Sequence, residues 1–151
     1  MLIEQKLEKN VIDKLTSIFT NNGISDFGVY GSLQPDILKG VEGDSSIVVV
    51  VKTNPRSYQS PTIPTCQIDF EVQLTLRADI DYSGKNYLEV CDMLMTQFET
   101  WQKCLDDAHY DFSLPEFQMV GFQLGNGTNA ADPEKVVWQY KHNFTVYGVV
   151  Q

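Results

Sequence analysis

Two stretches of the sequence contain residue types that could support metal-dependent phosphoryl transfer. Val29–Ser32 is a Gly-Ser turn ahead of the β-branched run Ile47–Val51. Such chemistry needs two carboxylates at positions i and i+2 of that strand, where both face one side and hold the Mg²⁺ ions that activate the acceptor. Valines stand there instead. Asp69 and Glu71 are at i and i+2 of a later strand, but they are the polar half of an alternating pattern, which is the commoner origin of such a pair.

The histidines and cysteines do not stand in the spacing of a metal site or a nucleophile. His109 follows a predicted helix end beside Asp106, Asp107 and Asp111, a pattern typical of a solvated, charged terminus. His142 lies on the apolar face of the last predicted strand, where we expect a core or interface histidine. The cysteines, expected to be reduced thiols, are Cys66, Cys91 and Cys104. We therefore predict no catalytic residue, no metal ligand and no cofactor, and a protein that is not an enzyme.

The length of the chain and its net charge indicate one domain and disfavour some classes of binding partner. The 151 residues suit one domain, and 20 acidic residues against 11 basic ones give a net charge of −9. Nucleic-acid binders present Lys and Arg to phosphates, so stable binding to DNA or RNA is disfavoured, whereas DNA can pass an acidic surface without sticking. Charges at Glu4, Lys6, Glu8 and Lys9 interrupt any apolar leader, and no run approaches the ~20 apolar residues of a membrane span. We expect neither secretion nor membrane insertion.

Apolar periodicity predicts two helices and several strands. Spacings of three and four predict an amphipathic helix over Leu2–Asn21, with its charges on the other face and a stop at Asn21–Gly23. A second helix is predicted from about 86 to 107. Strict alternation over Gln67–Arg77 predicts the clearest strand. Further strands are predicted at Phe27–Tyr30, at Ile47–Lys52 with both faces covered, at Phe117–Leu124, and at the chain end with Trp138, Tyr140, Phe144 and Val146 on one face.

This order of elements predicts an α+β fold for one domain over residues 1–151. We expect a largely antiparallel sheet of about four to five strands with the two amphipathic helices packed on one face, because that arrangement buries both apolar stripes.

Two predicted loops stand out as candidate contact regions. Residues 53–65 carry three prolines and are longer than a hairpin needs, so they are interpreted as a long connection or a projecting arm. Arg56 and Tyr58 within it are residue types common in interfaces. A Gly/Asn-rich loop is predicted at 125–135, with Asn126 and Asn129. We predict that these four residues contact a neighbouring subunit.

The whole layout resembles a known family. The residues that carry the resemblance are the helix Ile3–Phe19, the run Ile47–Val51, the strand Gln67–Arg77 across the Pro-rich arm, the helix Tyr87–Leu105, Val120–Phe122 and finally Val137–Gly148. In that order they look like the tail terminator (tail completion) proteins of long-tailed bacteriophages, which are small α+β proteins with a leading helix, a second helix between strands and a closing strand.

The resemblance implies a non-enzymatic virion structural protein. Copies would form a homo-oligomeric ring, typically a hexamer, that ends the tail tube and joins it to the head connector, with DNA passing through an acidic lumen. The protein would be made in the host bacterial cytoplasm and would reside in the tail or neck of the virion. Alternatives are a connector or stopper ring of the same neck region and, from a different class, a small nucleotidyltransferase-like enzyme.

Overall fold

The computed structural model describes residues 2–33, 46–58, 60, 62, 64–77, 87–103, 112–132 and 137–151. Over these residues the chain forms two helices and six strands. In chain order they are α1 (Ile3–Asn21), β1 (Phe27–Gly31), β2 (Ile47–Thr53), β3 (Ser57–Tyr58), β4 (Thr65–Arg77), α2 (Tyr87–Lys103), β5 (Phe117–Asp132) and β6 (Val137–Val150). The predicted α+β class is confirmed, with one strand more than the upper expectation.

All six strands belong to one sheet. Its main path runs β1-β2-β4-β6-β5, and β3 pairs with β4 beyond the end of β2. The pairing of β1 with β2 is parallel, and every other pairing is antiparallel. The parallel pair requires a crossover, which spans residues 32–46 and lies largely outside the described residues. The predicted largely antiparallel sheet is therefore confirmed.

The core lies on one face of the sheet, under both helices. β4 alternates buried and half-buried residues along its length, as its period-two pattern predicts. α1 packs on β1 and β2, and α2 packs on β5. Gly23, with a φ of 76°, terminates α1 after Asn22, because glycine adopts that left-handed conformation without steric cost. Within the described residues, no helix is long and apolar enough to cross a membrane.

The boundaries of several predicted elements agree with the structure. α1 begins one residue later than predicted, and α2 begins at Tyr87 and is described to Lys103. The rest of its predicted span lies outside the described residues, as do the turn at 82–85 and His109 with its aspartates. The apolar face predicted for the last strand is confirmed, because buried residues alternate along β6 from Tyr140 to Val146.

Three predictions were wrong in part. β2 is covered on one face only, since Val48 and Val50 are half-buried beside the polar side chains of β4. The arm at 53–65 does not project where it is described: Thr53 belongs to β2, Ser57–Tyr58 pairs with β4, and β4 begins at Thr65.

The predicted loop at 125–135 is the third correction. β5 continues to Asp132, and residues 133–135 lie outside the described part of the chain. Pairing with β6 overrides the local turn signal of Gly and Asn. A register shift between Leu124 and Gly127 accommodates the irregular residues Gly125 and Asn126, as a β-bulge does.

Candidate assembly surfaces

A group of polar side chains, here called the carboxylate junction, lies beneath the first half of α1. It consists of Glu4, Glu8, Ser32, Thr53 and Arg56. Glu8 is 0% exposed and Glu4 5%. Burial of a carboxylate is costly unless hydrogen bonds replace its water, so the partners of the two side chains decide whether this arrangement is stable.

Glu8 is satisfied by three donors from the ends of β1 and β2. Its carboxylate accepts hydrogen bonds from the Leu33 amide at 2.9 Å, from the Ser32 hydroxyl at 3.2 Å, and from the Thr53 hydroxyl. A Cβ at Gly31 would lie 1.9 Å from Glu8 Oε1, so the carboxyl group occupies the space that any other residue at position 31 would need. The Gly-Ser turn therefore has a structural role: Gly31 leaves space for the Glu8 carboxyl group, and Ser32 donates a hydrogen bond to it.

Glu4 is held by Arg56. The guanidinium Nε donates to Oε1 at 2.7 Å and Nη2 donates to Oε2 at 3.3 Å, while the Arg56 amide adds a third bond at 3.2 Å. Burial alone raises the pKa of Glu4, but these hydrogen bonds outweigh it and the net pKa is lowered. The predicted contact residue Arg56 thus already has an intramolecular partner.

The surface beside this ion pair is apolar. Tyr58 is 51% exposed and Leu2 is 59% exposed. Between α1 and the residues after β2 lies a pocket of about 280 Å³ lined by Leu2, Glu4, Leu33, Thr53, Pro55 and Arg56. Of the two residues predicted in this region, Tyr58 therefore presents its side chain to solvent, while Arg56 is largely turned inward.

The sheet face opposite the helices, here called the open face, is polar. Asp69 accepts a hydrogen bond from Thr145 Oγ1 at 2.6 Å, and Glu71 lies 3.9 Å from Lys52 Nζ. A shallow polar depression of about 380 Å³ is lined by Asn54, Asp69, Phe70, Glu71, Asn143, Phe144 and Thr145. The i, i+2 carboxylates thus already have partners, and the described residues contain no cluster of three or more His, Cys, Asp or Glu side chains that could hold a metal ion.

Asn126 and Asn129 lie in a strand and not in a loop. Both are on β5 and exposed. Asn126 lies in the bulge, and Asn129 Oδ1 accepts a hydrogen bond from Tyr87 Oη, which ties β5 to the start of α2. In the sheet order, β6 and β4 separate this strand from Tyr58 on β3. The four predicted contact residues are therefore not brought together into one site.

The second helix rests on an aromatic cluster. Phe144 on β6 lies against Phe98 and Trp101 of α2, with its ring centroid 5.8 and 5.9 Å from theirs, and it stacks on Phe122 of β5 at 5.3 Å. Phe112 joins through Trp101 at 5.5 Å. This aromatic cluster consists of Phe98, Trp101, Phe112, Phe122 and Phe144. It fixes α2 over the β5–β6 side of the sheet.

His142 is buried next to this cluster. Its Nδ1 lies 2.6 Å from the Tyr140 hydroxyl, and its ring is 5.4 Å from Phe98. Burial lowers the pKa of His142 and raises the pKa of Tyr140 to about 12. The histidine is therefore a core residue, one of the two roles that the apolar face of β6 predicted.

The carboxylate junction was missed by the sequence interpretation, which placed the charges of α1 on its outer face. Glu4 and Glu8 are four residues apart and flank Leu7 and Val11, so they belong to the apolar side. The sequence alone could therefore have indicated that the two carboxylates are buried. It could not indicate their hydrogen-bond partners, because these are 24 to 52 residues away along the chain.

The comparisons with known proteins bear on the fold. No family model matches the chain, and no curated protein matches it. Among solved structures, it is similar to a chain of the "Virion of native gene transfer agent (GTA) particle", with a TM-score of 0.51 and 12% sequence identity over 87% of this chain and 84% of that chain. The two chains share a fold across most of their lengths.

Proposed function

We propose that this protein is a structural component of a phage-like virion. The observation that carries the proposal is the fold shared with a chain of the gene transfer agent virion over 87% of this sequence. The order of helices and strands in the chain, which resembles that of tail terminator proteins at the level of sequence pattern, adds support to the proposal.

Within such a particle we place the protein in the neck, as a homo-oligomeric ring that ends the tail tube and joins it to the head connector. A net charge of −9 suits a ring through which DNA passes, because like charge prevents adhesion of the DNA. A connector or stopper ring of the same region is the alternative. Arg56, Tyr58, Asn126 and Asn129 remain proposed subunit contacts; the last three are exposed, whereas Arg56 is half-buried.

The geometry gives the nucleotidyltransferase alternative little support. Ser32 of the Gly-Ser turn donates to Glu8, Asp69 accepts from Thr145, and Glu71 lies beside Lys52. An assay for Mg²⁺-dependent nucleotide transfer addresses this alternative directly. Turnover that Asp69→Asn abolishes would restore the enzyme hypothesis.

The ring proposal is tested by mass and shape. We expect size-exclusion chromatography with light scattering to give a discrete multiple of the monomer mass, and negative-stain electron microscopy to show closed rings. The same measurement is repeated with the tail-tube protein of the same particle, because ring closure can depend on the tube end. A chain that stays monomeric at high concentration, both alone and with the tube, contradicts the proposal.

A further inference from the structure

The outer edge of β5 has two different halves. Over Phe117–Leu124 its backbone is capped by side chains: the Met119 amide donates to Ser113 Oγ and the Leu124 amide donates to Gln102 Oε1, both at 3.0 Å. The other half, Gly125–Ala130, is exposed at every residue. It contains no charged residue and no proline, which are two of the devices by which proteins protect an edge strand from pairing. A third device, the β-bulge, is confined to its start at Gly125 and Asn126. This second half is called the open half of β5.

The opposite edge of the sheet is β1. It pairs only with β2 among the described strands, so its other side is an edge of the described sheet. Its five residues, Phe27–Gly31, are also uncharged. The regularly paired part of the open half, Gly127–Ala130, has four residues, so the two edges are similar in length and both lack charge.

One row of residues crosses the sheet from edge to edge. Tyr30 pairs with Val50, Val50 with Gln73, Gln73 with Lys141, and Lys141 with Thr128. Tyr30 on β1 and Thr128 on β5 therefore lie at the same height along the strands and on the open face. A neighbouring copy that continues the sheet without a shift would place its Tyr30 opposite Thr128.

The helices above the two edges differ in charge. α1, on the β1 side, presents Lys6, Lys9 and Lys14 on its outer face against one acidic residue, Asp13, and Lys6 is paired with Glu116. α2, on the β5 side, presents the exposed carboxylates Glu89, Asp92 and Glu99 and has no basic residue before Lys103. Because the α1 side is basic and the α2 side is acidic, contact between the α1 side of one copy and the α2 side of the next is favoured. Contact between two α1 sides or two α2 sides is disfavoured.

Resting on the proposed function, we propose that copies of this chain join edge to edge, with the open half of β5 of one copy pairing with β1 of the next. Copies related by rotation about an axis along the strands keep the same strand direction, and β1 and β5 run in opposite directions within one sheet. The new pairing is therefore antiparallel. The contact uses two different surfaces, so repetition produces a closed ring or an open filament and not a two-fold dimer.

Cysteine cross-linking tests this pairing. The double variant Tyr30→Cys/Thr128→Cys carries one thiol at each end of the row, and a short thiol-to-thiol reagent is applied to assembled protein. We expect a ladder of covalent oligomers up to the ring size on a denaturing gel. A mixture of the two single variants should give nothing larger than a covalent dimer, because each copy then has one partner thiol.

The matched control moves one thiol inward. Tyr30→Cys/Asn143→Cys places the second thiol on β6, also exposed on the open face, and should give no ladder beyond that of the wild-type cysteines. If rings form but the Tyr30/Thr128 variant gives no ladder, the edge pairing is wrong and the ring proposal stands. Dimers from Thr128→Cys alone would overturn it in favour of a two-fold contact. If wild-type protein assembles neither alone nor with the tail-tube protein, both the ring and the edge pairing are wrong.

Discussion

α1 and α2 pack on the same face of one sheet, but different chemistry holds each of them. Beneath α1 lie two buried carboxylates, Glu4 and Glu8, with hydrogen bonds to the ends of β1 and β2 and to Arg56. Beneath α2 lies the aromatic cluster around Phe144. The aromatic side is stabilised by removal of apolar surface from water, an effect that does not depend on the direction of individual contacts. The carboxylate side is directional, so it fixes where the chain segments after β1 and β2 must lie.

The comparison predicts that the largest single loss of stability comes from the aromatic side. Phe144→Ala removes a ring in contact with α2 and β5, and we expect a decrease of about 3–5 kcal/mol in the free energy of unfolding, because a buried cavity replaces the ring. Urea denaturation followed by tryptophan fluorescence measures it. Phe144→Leu, which keeps most of the volume, should lose less than half as much. Equal losses for the two variants would mean that packing is not what holds α2.

The second prediction concerns the carboxylate side. Glu8→Ala leaves the Ser32 hydroxyl, the Leu33 amide and the Thr53 hydroxyl without their acceptor, and we expect a loss of about 2–3 kcal/mol. Glu8→Gln keeps one acceptor oxygen and should lose less. The same denaturation measurement is used. A Glu8→Ala variant as stable as the wild type would show that the junction is not what fixes α1.

The aromatic side and the carboxylate side are expected to lose stability in different pH ranges. Burial lowers the pKa of His142 below its ordinary value of 6.5. Burial raises the pKa of Glu4, but the hydrogen bonds with Arg56 outweigh it and hold the pKa below the ordinary 4.5. Both groups have folded pKa values below the unfolded ones, so each contribution is fully present above the unfolded pKa and is lost as pH falls through the folded one. We expect the aromatic side to weaken first, below about pH 6.5, and the carboxylate side only below about pH 4.5.

Two variants assign those windows. Stability is measured by denaturation at intervals between pH 7 and pH 3. His142→Gln should flatten the upper part of the profile, and Glu4→Gln the lower part, with Arg56 left in place in both. A profile that neither substitution changes would assign the acid sensitivity to other groups.

The periodicity of apolar residues predicted the helices and the clearest strand. It failed where contacts between residues far apart in the chain determine the structure. The alternation of β4 and the stripes of both helices are local, and each was confirmed. The turn signal of Gly125–Gly127 was overridden because β6 supplies the pairing that continues β5 through a bulge. Arg56 and Tyr58 were predicted as subunit contacts, and this stays a prediction. The ion pair of Arg56 with Glu4, 52 residues earlier in the chain, could not be predicted from the local pattern. The open half of β5 could not be recognised, since an edge is defined only once the strand order is known.

The smallest expected effect comes from a carboxylate on the open face, and it tests whether burial is what distinguishes the junction. Glu71 is of the same residue type as Glu4 and Glu8 and also has a basic neighbour, Lys52, at 3.9 Å, but its side chain is 34% exposed. Water screens such a pair, so Glu71→Gln should change the free energy of unfolding by less than about 0.5 kcal/mol. Denaturation beside Glu8→Gln provides the matched comparison. A loss at Glu71 as large as that at Glu8 would mean that burial is not what makes the carboxylates of the junction important for stability.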